Sequence, residues 1–129
     1  MLGRLKVVDA SALGALLFGE PRADYVARQL GEATLAAPTL LRYEIASICL
    51  KKLARYPDQR AGLLEMLDHF FERMDLQEIP VPTEGMVVLA GSEGLTVYDA
   101  AYLWLARALG SELVTLDAEL RKASSSGRG

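Results

Sequence analysis

The stretch Leu5–Phe18, LKVVDASALGALLF, decides the architecture. Leu5 to Val8 is a short, mostly apolar run that reads as a strand. Asp9 closes it, and Ser11 to Phe18 is rich in small and apolar residues that suit a helix, stopped by Gly19 and Pro21. A strand apolar on consecutive positions is covered on both faces, and one that passes straight into a helix begins a β–α unit of a parallel sheet.

The alternation continues along the chain. A second helix is expected from about Asp24 to Leu30 and a strand near Thr34–Ala37; Pro38 and Thr39 then open a long helix to about Ala54. Tyr56, Pro57 and Asp58 mark a turn, with Asp58 as N-cap of a helix carrying Leu63, Met66, Leu67, Phe70 and Met74 at three- to four-residue spacing. A third strand, Leu76–Val81, is interrupted by prolines. Thr83 and Glu84 open a short helix before Gly91–Gly94. Val97–Leu109 is an apolar helix, Leu113–Leu116 a fourth strand, and Ala118–Ala123 a last helical turn or two. Residues 1–123 read as one α/β domain around a parallel sheet, and the tail 124–129, SSSGRG, as disordered.

Composition narrows the class. The chain has 129 residues, 51% of them apolar, enough for one core. Its single cysteine, Cys49, excludes an intramolecular disulfide and suits a reducing cytoplasm. The apolar run before Asp9 is too short for a signal peptide, and no stretch approaches a charge-free membrane span. A net charge of −3, from 14 basic and 17 acidic residues, argues against nucleic-acid binding by bulk charge. Yet Arg42, Lys51, Lys52, Arg55 and Arg60 fall close together with only Glu44 and Asp58 as acids among them. They form either a basic face or a solvated helix end complementing the dipole.

Four acids stand beside or inside apolar segments: Asp9 in VVDAS, Glu44 in LLRYEIAS, Asp99 in LTVYDAAYLWLA and Asp117 in ELVTLD. Ionised side chains are costly to bury without a partner. Asp9 and Asp117 follow strands at their carboxyl ends, where ligand sites of open α/β sheets gather; the alternative is that each caps the next helix. Glu44 falls between Leu40 and Ile48 on the helix wheel, on the apolar side, where a buried pair with an arginine would also explain it. Asp99 lies in a first turn, where it favours the helix dipole, but shares a face with Tyr102, Leu103 and Ala106. Four such acids converging need cations, and a chain with one His and one Cys points to an oxygen-liganded Mg²⁺ or Mn²⁺. His69 reads as solvent-facing, Cys49 as core filling, and Trp104 and Tyr98 as packing residues. The sequence has no phosphate-binding glycine loop and no Ser or Cys nucleophile with a base partner.

These four fragments, in this order and at these intervals, resemble the PIN-domain ribonucleases, and the size matches the VapC toxins of prokaryotic type II toxin–antitoxin pairs. The resemblance covers nearly the whole chain. It implies a three-layer α/β/α sandwich of four or five strands and metal-dependent hydrolysis of RNA. Asp9, Glu44, Asp99 and Asp117 would be the acidic quartet binding Mg²⁺ or Mn²⁺, the first three as direct or water-mediated ligands and Asp117 as an outer-shell or second-metal member. Ser11 and Thr115 match the hydroxyls that order the acids or a water. The resemblance also implies a homodimer and a cognate antitoxin, for which Leu13, Leu16, Leu17, Phe18, Leu50 and Leu53 are candidate interface residues. One departure is that SSSGRG cannot supply the short fifth strand with which the family often ends. Lys51 and Arg55 continue the stripe of Glu44 along its helix and are candidates to guide an RNA backbone. Two rivals are a receiver-like phosphoacceptor, which would want an adjacent acidic pair and a late lysine, and a catalytically inactive interaction module of the same fold.

Overall fold

A computed structural model describes residues 4–126. Four strands, β1 (Leu5–Val8), β2 (Thr34–Pro38), β3 (Leu76–Ile79) and β4 (Glu112–Val114), pair in parallel in the order β3-β2-β1-β4. Among the described residues, six α-helices connect them and a seventh follows β4: α1 (Ala10–Leu17), α2 (Ala23–Leu30), α3 (Leu41–Arg55), α4 (Arg60–Arg73), α5 (Thr83–Glu93), α6 (Val97–Leu109) and α7 (Ala118–Ser126). Helices α1 to α4 pack among themselves, as do α5 to α7, and α6 lies against β1, β2 and β4. Val7 and Val8 point to opposite faces of β1 and neither is exposed, so both faces of the sheet are covered. That is the expected three-layer arrangement, with four strands.

The core runs from Val7, Val8, Ala36 and Ala37 in the central strands to Leu13, Leu41, Ile45, Leu103 and Leu105 on the helices. Helix α6 is bracketed by Gly94 (φ 68°) and Gly110 (φ 61°), both left-handed, a conformation that ends α5 and α6 and that glycine adopts without a Cβ clash. Helix α5 approaches α6 so closely that a Cβ added at Gly85 would stand 2.5 Å from the indole nitrogen of Trp104.

Several boundaries differ from the sequence expectations. Pro38 ends β2, opposite Ile79, instead of opening α3; its fixed φ suits a strand end as well as a helix start. Asp58 sits in a 3₁₀ turn (Pro57–Gln59), and α4 is capped by Gln59 with no side-chain bond, so the N-cap role of Asp58 falls away. Helix α5 runs through Gly91 to Glu93, an interior glycine costing about 1 kcal/mol relative to alanine. Strand β4 stops at Val114 because the backbone N–H of Leu116 turns to the Ser11 hydroxyl. Helix α7 extends to Ser126, which corrects the tail expected from residue 124; residues 127–129 lie outside the described ones. Leu13, expected at an interface, is fully buried, whereas Leu50 is 67% exposed. Tyr98 is exposed, not packed, and the amphipathic α4 buries only Leu63 outright.

Candidate active site

Strand order sets the place. The chain leaves β1 for β2 and β3 on one side, then returns to lay β4 on the other, so the order reverses between β1 and β4. The crevice outside the carboxyl ends at such a reversal is where open α/β sheets bind ligands. Asp9 follows β1 there and Thr115 follows β4.

Asp9 is nearly fully buried and held from three directions. Its Oδ1 accepts from the Ser11 hydroxyl (2.7 Å) and the Ala12 backbone N–H (3.0 Å), which caps α1, and its Oδ2 accepts from the Thr115 hydroxyl. Ser11 Oγ accepts from Leu116 N–H and Thr115 Oγ1 from Asp117 N–H, both at 3.0 Å. The two hydroxyls therefore lace the ends of β1 and β4 together around one carboxylate. Asp117 is exposed, and its Oδ1 accepts from Leu120 N–H at 2.9 Å in the first turn of α7. Capping and clustering are not alternatives for these two acids, because both cap a helix at the crevice.

Glu44 and Asp99 enter from the first turns of α3 and α6. Glu44 is half-buried, and its Oε1 accepts from the Tyr102 hydroxyl at 2.5 Å. This hydroxyl, not an arginine, partners Glu44; Arg42 instead forms a bidentate pair with Glu78. Asp99 N–H donates to Thr96 Oγ1 at 3.1 Å, the N-cap bond of α6, and Thr96 also hydrogen-bonds the Asp99 carboxyl.

Burial raises the carboxyl pKa of Asp9 above the ordinary range, against the lowering by its bonds to Thr115, Ala12 and Ser11, and the charge of Asp117 adds to the rise. Burial also raises Glu44, with Tyr102 opposing and the charges of Asp9 and Asp99 adding. Asp99 is raised by burial first, then by Asp117 and Asp9. The Tyr102 phenol is pushed far above the tyrosine range, by burial and then by Glu44. Asp9, Glu44 and Asp99 thus each feel the charge of at least one other acid of the group, that of Asp117 included.

The donor set suits a hard cation: all oxygen, mutually repelling, with no His or Cys among it. Among the described residues no three His, Cys, Asp or Glu side chains are disposed to close on one ion. That leaves a grip by one or two carboxylates with water completing the shell, which is how Mg²⁺ is commonly held.

The structure brings Asp9, Glu44, Asp99, Asp117, Ser11 and Thr115 together. It leaves Lys51 and Arg55 outside, exposed about 10 and 16 Å farther along the axis of α3. The cleft of about 620 Å³ between α3 and α4, lined by Arg42, Leu64, Leu67, Asp68 and Phe71 among others, contains none of the four acids of the crevice. Sequence reasoning missed Tyr102 and Thr96 as site residues. A phenol three residues after Asp99 on a face otherwise aliphatic is a usable signal for the first, and the T-x-x-D spacing for the second.

A family model described as the PIN domain matches residues 6–125. Ribonuclease VapC3 of Pyrobaculum aerophilum is 36% identical over 118 residues, covering 88% of this chain and 90% of that relative. The crystal structure of PAE2754, also from Pyrobaculum aerophilum, superposes with a TM-score of 0.73 at 32% identity, over 91% of this chain and 82% of that one.

Proposed function

The chain belongs to the PIN-domain family, and from that premise we propose that it is a VapC-type ribonuclease, a Mg²⁺- or Mn²⁺-dependent hydrolase of RNA phosphodiester bonds and the toxin of a type II toxin–antitoxin pair acting in the cytoplasm. The observation that carries the reading is the convergence of Asp9, Glu44, Asp99 and Asp117, from four separate elements, on the carboxyl ends of β1 and β4 as one coupled cluster. Such a cluster repels a phosphate backbone unless a cation stands between them.

Asp9, Glu44 and Asp99 are the residues that would hold the ion, one or two of them directly and the rest through water, with Asp117 supporting from outside. When bound, the ion lowers the pKa of a water and offsets charge developing on the phosphate oxygens. Ser11 and Thr115 fix the orientation of Asp9 by donating to its two oxygens. Thr96 holds the start of α6 and with it Asp99. Of the clustered cations on and after α3, Arg42 pairs with Glu78 and Lys52 with Glu20, which leaves Lys51, Arg55 and Arg60 outside these pairs, and of the three Lys51 and Arg55 share the stripe of Glu44 and are the ones to meet phosphates. Replacing both with alanine should weaken RNA binding and flatten its salt dependence by about two phosphate contacts; an unchanged slope would remove them from the RNA path.

The relative's name, Ribonuclease VapC3, supports an antitoxin partner for this chain as well. Exposed Tyr43 and Leu50 on α3 are surface such a partner, or a second copy in a homodimer, would cover. The deciding experiment is RNA cleavage by the purified chain with Mg²⁺, with Mn²⁺ and with EDTA. Cleavage with either ion and none in EDTA is expected; no cleavage under any condition would leave the catalytically inactive interaction module as the better account.

A further inference from the structure

Each of three acids at the crevice already has one oxygen engaged by a protein donor: Oδ1 of Asp9 by Ser11 and Ala12, Oδ1 of Asp117 by Leu120, and Oε1 of Glu44 by Tyr102. Asp9 is engaged at Oδ2 as well, by Thr115. A carboxylate offers about four lone-pair positions, and each one taken by a protein N–H or O–H is lost to a cation. The first two tethers belong to helix caps and to the β1–β4 junction. The third is different: Tyr102 reaches from α6 to α3 and holds no backbone.

Tyr102 is 1% exposed, and its hydroxyl needs a partner there, since an unpaired buried hydroxyl is costly. Glu44 is that partner at 2.5 Å. Among the described residues this bond ties α3 to α6 at the edge of the acid cluster. The bond takes a lone pair of Oε1, and among the described residues no protein donor hydrogen-bonds Oε2.

We infer that Tyr102 is a positioning residue that, by engaging Oε1, favours a grip by Glu44 through Oε2 alone and thereby biases the site toward a small octahedral cation and against Ca²⁺. This rests on the metal-dependent reading above. Ca²⁺ takes six to eight oxygens and commonly uses carboxylates through both, whereas Mg²⁺ binds through one or two carboxylates and keeps several waters. Removing the phenol oxygen frees Oε1 and lets Glu44 turn. That loosens the hold on Mg²⁺ and Mn²⁺ while giving Ca²⁺ a second oxygen.

The test measures Mn²⁺ binding by electron paramagnetic resonance, and Mg²⁺ and Ca²⁺ by displacement of Mn²⁺, on the full chain as wild type, Tyr102→Phe, Glu44→Gln and the double variant. In Tyr102→Phe, Mn²⁺ and Mg²⁺ should bind roughly tenfold more weakly, as is usual when an outer-shell partner is lost. Ca²⁺ should lose less, so the discrimination between the ions falls. In the Glu44→Gln background the same change should alter the ratio not at all. Equal losses for all three ions, or the same ratio change without Glu44, would overturn the inference and make Tyr102 a core residue only. A wild type that binds no Mn²⁺ defeats the metal-dependent reading itself, and the inference with it. A wild type that binds while Tyr102→Phe behaves identically defeats the inference alone. Should Tyr102→Phe fail to fold, wild type with ¹³Cζ-tyrosine gives the answer. One of its five tyrosine signals should move on saturation with Mg²⁺ and stay fixed in Glu44→Gln, and no moving signal would overturn the inference.

Discussion

Asp9 and Asp117 are written alike in the sequence, an acid closing an apolar strand, and they end in different surroundings. Asp9 follows the central strand β1, is 4% exposed, and takes bonds from Ser11, Ala12 and Thr115. Asp117 follows the edge strand β4, lies exposed, and takes one capping bond from Leu120. A strand flanked on both sides delivers its terminal residue into the middle of the crevice, where both neighbouring strands and their loops can hold it. An edge strand delivers its residue to the rim. The difference teaches that a local sequence pattern nominates an acid, and its place in the strand order decides how tightly the acid is held.

The largest test of that contrast is neutralisation. Asp9→Asn should reduce RNA cleavage by at least about 100-fold, roughly 3 kcal/mol of lost transition-state stabilisation. Asp117→Asn should reduce it by about tenfold, the scale of an outer-shell change. Rate measurements at saturating Mn²⁺, on variants shown to be folded, would break the contrast if Asp117→Asn proved the more damaging.

A second, smaller effect concerns stability in EDTA. The carboxyls of Asp9, Glu44 and Asp99 sit above their ordinary values of 3.8, 4.5 and 3.8, mainly through burial, with the charge of Asp117 adding at Asp9, those of Asp9 and Asp99 at Glu44, and those of Asp117 and Asp9 at Asp99. A carboxyl whose pKa is higher folded than unfolded favours the folded state less as it ionises, so its penalty is absent below the ordinary value and complete above the raised one. The melting temperature in EDTA should therefore fall as pH climbs from the ordinary values toward neutrality. Mn²⁺ at about ten times its dissociation constant should restore about 1.4 kcal/mol near neutral pH. A melting temperature that rises with pH in EDTA and ignores Mn²⁺ would show that the acids do not act as one cluster.

The smallest expected effect isolates one member of the cluster. Asp99→Asn should raise the metal-free melting temperature by a few degrees, because it removes a charge that Asp9 and Asp117 oppose, and should shrink the response to Mn²⁺. A less stable metal-free variant would assign Asp99 to the capping of α6 instead, where its carboxyl meets Thr96.

Much of this was legible in the residues. The apolar runs Leu5–Val8 and Thr34–Ala37 and the helix Val97–Leu109 carry strong periodicity and clean stops, and each falls within a residue of its place in the structure. The four acids stood out for the same reason, charge against an apolar background. What escaped was set by contacts distant in sequence. Strand β4 ends early because Ser11, more than a hundred residues away, takes the Leu116 N–H. The partner of Glu44 is a phenol 58 residues on, which no spacing along α3 could reveal. Helix α4 has the stripe of a core helix, yet Met66 remains 41% exposed, since a stripe states which face is apolar and not how much protein lies beneath it.

The tight seam at Gly85 gives the molecule a reporter of its own. Trp104 is the single tryptophan of the chain, and its indole lies where a side chain at position 85 would stand. Indole emission therefore arises from one place, the junction of α5 with the helix that carries Asp99 and Tyr102. A fluorimeter reads the state of that scaffold in the unlabelled protein, in the same cuvette in which ions are added.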